Sequence, residues 1–181
     1  PDLILEITPE VAEWIRQQKM FFVSTAPLSS DGHINNSPKG GDVFRILSPH
    51  QVIYQDLTGS GAETIAHLQE NQRILIMFCA FQGPPRIVRL HGKGTVITPD
   101  DERYTTLLEA FPKNPGTRSL ILINVTRVSK SCGFSVPFYD YKSDRDTLDR
   151  WATQKGPAGL ATYRAQKNTH SIDGLPAISI P

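Results

Sequence analysis

The spacing of apolar residues along the chain changes period several times, and the changes divide it into elements. Thr8-Pro9-Glu10 reads as a helix start, with a hydroxyl cap, a proline at the first helical position and an acid facing the helix dipole. Val11, Trp14, Ile15 and Gln18 continue it as a short amphipathic helix to about Gln18. Residues 20–26 are then apolar and β-branched, which predicts a strand. Ser29-Ser30-Asp31-Gly32 is a turn suited to a hairpin, and residues 33–39 form a second strand shortened by Pro38. Residues 43–47 and Gln51–Leu57 are two more strands around Ser48-Pro49-His50.

Thr58-Gly59-Ser60-Gly61 is a loop of small residues leading into a helix over residues 62–71, with Ile65 and Leu68 on one face. Residues 73–81 are nearly all apolar and predict a strand buried on both faces. After the turn Gln82-Gly83-Pro84-Pro85, residues 86–97 form a long strand, and Gly92 and Gly94 mark a bulge or bend in it. Pro99-Asp100-Asp101-Glu102 starts a helix whose apolar face is Tyr104, Leu107, Leu108 and Phe111. Residues 119–128 are the last core strand. Beyond Cys132 the text is irregular and aromatic, then helical at residues 146–155 and 159–166.

Strand following strand, with few helices between, argues against a doubly wound parallel sheet and predicts a mainly β, α+β barrel or sandwich. The 181 residues fit one domain over 1–181. A formal net charge of +1 and the lack of a basic stripe argue against nucleic-acid binding. Apolar runs are too short to span a bilayer, and Pro1-Asp2-Leu3-Ile4 shows no basic leader. The two cysteines, Cys79 and Cys132, are too few for a disulfide framework and suit a cytoplasmic, reducing compartment.

Three places carry candidate chemistry. The loop and helix start from Thr58 to Thr64 would leave backbone N–H groups and the hydroxyls of Thr58, Ser60 and Thr64 free for an anion; it also suits an ordinary capped connection. It lacks the Gly-Lys-[Ser/Thr] ending of a nucleotide loop. In Ser37-Pro38-Lys39-Gly40-Gly41 the lysine is placed to meet a phosphate, or simply to end a strand. Arg86 and Arg89 lie three apart on a strand and so face opposite sides. Asp56 and Glu63 are an acid–base pair or, more simply, bond backbone groups. The five histidines show no metal-ligand spacing, so no metal site is expected.

Taken in order, several segments resemble the pyridoxamine 5′-phosphate oxidase-like, FMN-binding split-barrel family. They are Phe22 to Pro27, Asp31 to Gly40, Tyr54-Gln55-Asp56, Thr58 to Thr64, His67 to Ile74 and Arg86 to Gly92. The likeness covers roughly residues 8–128, leaving residues 131–181 as a C-terminal extension with short helices. It implies an antiparallel split barrel of six or seven strands with peripheral helices, a homodimer, and FMN at the dimer interface serving oxidoreduction of a small molecule. The implied cofactor-binding residues are Ser37, Pro38, Lys39 and Gly40 on the second strand, Ser60, Gly61 and Thr64 at the helix start, and Arg86 and Arg89 beside the reduced ring. No catalytic acid is implied. Oxidases of the family carry a Ser-Arg-Lys type pairing at the helix start, where this chain has Ala62-Glu63-Thr64. That removes two positive charges and adds a negative one, leaving Lys39, Arg86 and Arg89 to compensate. The alternative reading is a flavin-, deazaflavin- or haem-binding protein without turnover, in which His33 or His91 would be the haem ligand.

Overall fold

The computed structural model describes residues 3–179. Pro1 and Asp2, half of the segment read for a leader, lie outside it. Strand β1 (Leu3–Ile4) precedes helix α1 (Pro9–Gln17), which Thr8 caps by accepting the Val11 N–H at 3.3 Å. Strands β2 (Met20–Thr25), β3 (Asn35–Gly40), β4 (Phe44–Ser48) and β5 (Gln51–Leu57) follow, then helix α2 (Glu63–Asn71). Strands β6 (Arg73–Cys79) and β7 (Ile87–Ile97), the short helix α3 (Tyr104–Leu108), strand β8 (Thr117–Ser131) and helix α4 (Thr147–Lys167) complete the order. The two helices expected near the C-terminus are the arms of α4, kinked where Gly156 takes φ 64° ahead of Pro157.

All strand pairs are antiparallel, in the order β3-β2-β6-β7-β8-β5-β4, with β1 added beside β8. The sheet curls until its two ends meet through side chains. Phe44 of β4 lies 5.1 Å from Phe21 of β2 and 5.2 Å from Phe78 of β6, centroid to centroid. These rings join the core of Val23, Tyr54, Ile76, Leu90, Ile121 and Ile123. Among the described residues no ladder joins β3 to β4 or β5, so the barrel is split there. Helix α1 buries Val11, Ala12 and Ile15 against this core. Tyr104, Leu107, Leu108 and Phe111 pack over Ile53, Ile97 and Leu120 on the outside of β5 and β8, the face their spacing predicted.

Three local expectations are corrected. Strand β6 is not buried on both faces: Ile74, Ile76 and Phe78 point inward, while Leu75 and Met77 are half-buried outside. Strand β3 begins at Asn35 rather than His33, because the backbone N–H and ring of His33 are drawn to Asp173 at 2.8 and 2.6 Å. Strand β8 is longer than the apolar run suggested, since its polar ends still pair with β5 and β7. The expected bulge exists. The β7–β8 register shifts between His91 and Gly92, where a side chain on Gly92 would strike the Asn124 carbonyl.

Candidate functional site

Alternation on β3 sends Asn35, Ser37 and Lys39 inward across the split, while Pro38 and Gly40 stay exposed. The same alternation on β5 sends Tyr54 and Asp56 inward from the other side. The split is therefore bridged by polar side chains. Lys39 Nζ stands 3.7 Å from Asp56 Oδ1, over the face of Tyr54. Arg118, at the start of β8, grips the same carboxylate with Nε at 2.8 Å and Nη2 at 3.2 Å, and gives Nη1 to the Gly61 carbonyl at 2.8 Å. Ser119 Oγ donates to Asp56 Oδ2 at 3.0 Å. Asp56, Arg118 and Ser119 are all buried. Burial pushes the Asp56 carboxyl up, but the charges of Arg118 and Lys39 and the bonds from Arg118 and Ser119 outweigh it and hold the group below its ordinary value. Burial and the nearby Asp56 raise the Tyr54 phenol well above its own, so that side chain stays neutral.

A second chain of bonds ties β3 to α2. Ser37 Oγ donates to Asn35 Oδ1 at 3.0 Å, and Asn35 Nδ2 donates to Thr64 Oγ1 at 3.1 Å and to Thr25 Oγ1 at 3.3 Å. Thr25 Oγ1 is also 2.9 Å from Nδ1 of the buried His67. Burial lowers the His67 pKa and favours its neutral form. Tyr54 Oη and His67 Nε2 are buried without a hydrogen-bond partner among the described residues.

The helix start differs from the capped connection considered above. Among the described residues no side chain caps α2. Thr58 is buried, donating to the Gly116 carbonyl at 2.8 Å and accepting from Arg164 Nε at 2.9 Å; Ser60 is exposed. Residues 168–178 cross this corner as a strap. Asn168 Nδ2 donates to the Gly59 carbonyl at 2.9 Å, and the Ile172 N–H donates to Glu63 Oε1 at 3.2 Å. Ala177 packs with Ala62, Ile65 and Ala66. Asp56 and Glu63 thus serve different partners, with no hydrogen bond between them among the described residues.

A groove of about 1250 Å³ opens beside the split, between the barrel and residues 139–149. It is lined by Pro38, Lys39, Gly40 and Arg86 among the residues anticipated from sequence, and walled by Trp14, Phe81, Tyr139 and Tyr141. Arg86 bonds Glu10 Oε1 at 2.9 Å and lies over Trp14. Ser37 and Thr64 join through Asn35, and Gly61 meets Arg118, on the inner side of the split. Arg89 stands apart on the outer face of β7, giving Nη1 to Ser131 Oγ at 2.9 Å, so the two arginines do face opposite sides. His33 is engaged by Asp173, and His91 sits half-buried on the same outer face as Arg89. Sequence reasoning did not single out Arg118, Asn35, His67 or Arg164. The available signal was a charged residue at the start of an otherwise apolar strand.

The barrel, its polar split and the groove define an antiparallel split-barrel protein with an aromatic-walled groove beside the split. The chain belongs to the pyridoxamine 5′-phosphate oxidase family, whose sequence profile matches residues 7–132. It is 39% identical over 189 residues to the pyridoxamine 5′-phosphate oxidase family protein ustO of Aspergillus flavus, spanning 95% of this chain and 76% of that one. Among solved structures it is similar to HupZ from Group A Streptococcus, with a TM-score of 0.53 and 22% identity over 67% of this chain and 91% of the other. It is also similar to a Clostridium acetobutylicum protein related to general stress protein 26, with a TM-score of 0.53 and 12% identity over 68% and 86% of the two chains. At these identities the solved structures share the fold.

Proposed function

We propose that this chain binds a flavin in the groove beside β3 and uses it, as FMN, in oxidoreduction of a small molecule, working as a homodimer in a reducing cytoplasm. The observation that carries the reading is the groove itself. It gathers Pro38, Lys39, Gly40 and Arg86 under aromatic walls, in a chain of a family whose resemblance implies FMN. At about 1250 Å³ it exceeds the roughly 300–1,000 Å³ of a pocket for one small ligand, which supports a cofactor and a substrate together.

The parts of a flavin fit this chain unequally. A planar apolar ring suits a cleft between Trp14, Phe81, Tyr139 and Tyr141. Strand β3 is an edge strand, and its unpaired backbone N–H and C=O row suits the ring's polar rim. A phosphate at the α2 corner does not fit as well, because Glu63 places a carboxylate there and Arg118, which reaches Gly61, is already held by Asp56. When bound, a flavin supplies the electron transfer, and the protein's share is binding, orientation and exclusion of water. Here Arg86, fixed by Glu10, sets a positive charge at the groove wall, and Lys39, fixed by Asp56, sets another at its floor.

An absorbance spectrum of the purified protein, followed by titration with FMN, tests the reading. Flavin bands or saturable micromolar binding are expected. A colourless protein that ignores FMN overturns it.

A further inference from the structure

We propose that the flavin is recognised through its ring and sugar-alcohol chain and not through a phosphate, so that riboflavin and FMN are equivalent ligands of this groove. The inference rests on the flavin reading above and says which part of the flavin is recognised.

A bound phosphate takes guanidinium N–H groups, hydroxyls and an ammonium in charge-assisted hydrogen bonds. At this split that set of partners already surrounds a side chain of the protein. Asp56 accepts from Arg118 at 2.8 and 3.2 Å and from Ser119 at 3.0 Å, with Lys39 3.7 Å away. The carboxylate is 2% exposed and stays ionised in neutral solution, so it does not vacate the position by protonation. A phosphate drawn to Lys39 or Arg118 would have to displace it and leave an uncompensated buried charge.

The helix start offers no alternative. Glu63 stands in the first turn of α2, with its carboxylate folded back against Gly61 and bonded to the strap at the Ile172 N–H. Ala62-Glu63-Thr64 carries no cation of its own. Arg164 reaches the same loop, but its Nε is given to the Thr58 hydroxyl and its Nη2 to the Thr117 carbonyl at 3.0 Å.

The groove's lining sets four carboxylates, Asp42, Asp140, Asp144 and Asp149, against its four cations. Arg86 is paired with Glu10 at 2.9 Å and Lys19 lies over the Tyr141 ring. What the groove presents is therefore aromatic wall and balanced charge, a surface for an uncharged planar ring with a hydroxylated chain.

The test is a titration of the full chain with riboflavin and with FMN, reading the quenching of ring fluorescence. Dissociation constants within about threefold of each other are expected, well under one decade. FMN binding tighter than riboflavin by more than about thirtyfold overturns the proposal, since that is the scale of a recognised phosphate. No quenching by either overturns the flavin reading itself and is told apart by that symmetry. Asp56→Asn should favour FMN selectively, but it unpairs a buried arginine and risks the fold. Glu63→Gln, at a half-buried position, is the second variant. It should tighten FMN about threefold or more and leave riboflavin unchanged, because it removes only the charge that opposes a phosphate. Equal tightening of both ligands by Glu63→Gln also overturns the proposal.

Discussion

Asp56 shows what a single residue decides here. A buried carboxylate is tolerable only with partners, and its two cations come from β3 and β8. Replacing Arg118 with Met should destabilise the protein by about 3–5 kcal/mol in urea denaturation at neutral pH, because it strands that charge. The pH dependence has a definite sign. The Asp56 pKa is depressed on folding, so its contribution is fully present above the unfolded value of 3.8 and is lost as pH falls through the lower folded value. In Arg118→Met the same burial raises the carboxyl instead, so the stability gap between variant and parent should narrow on acidification. Little of this was legible in the sequence. Lys39 drew notice because glycines flank it, and Thr64 because a helix starts there. Arg118 did not, because its partner lies 62 positions away and pairing at that distance leaves no periodic trace.

Elements were read far better, since their signals are local. The Thr8 cap, the 20–26 strand, the α3 face and the break in the last helix all follow from adjacent residues. The misses are places where a distant group overrides local preference. His33 leaves the ladder for Asp173, and apolar β6 keeps one face only half-buried because no layer among the described residues fully covers it. Gly92 belongs to the same scale. The bulge brings the Asn124 carbonyl where a methyl group would stand, and backbone yields less readily than a side chain. Gly92→Ala should therefore lower the thermal midpoint, with a cost above about 1 kcal/mol. Gly94→Ala would press only on flexible side chains, chiefly the Leu68 methyls, and should cost less.

At the scale of the whole molecule, the outer face of β2, β6 and β7 stands out. Phe22 pairs with Met77, and Met77 with Arg89, so the register lines up half-buried Phe22, Leu75 and Met77 as one apolar stripe. The homodimer proposed above would bury such a stripe. Sedimentation should give twice the chain mass at micromolar concentration, and Met77→Glu should halve it while preserving the fold by circular dichroism. A monomeric parent protein would defeat that part of the proposal.

The strap has a consequence in time as well as in space. Its clasp joins Asp173 to His33 across 140 positions, and Asn168 to Gly59 across 109. Contacts this remote form late, because so much chain must be gathered before they are rewarded. On the ribosome the sheet can begin to pair while the α2 corner still waits for residues that have not been made. The nascent barrel thus spends its early life with that corner open, within reach of chaperones and proteases until the last residues of the clasp emerge.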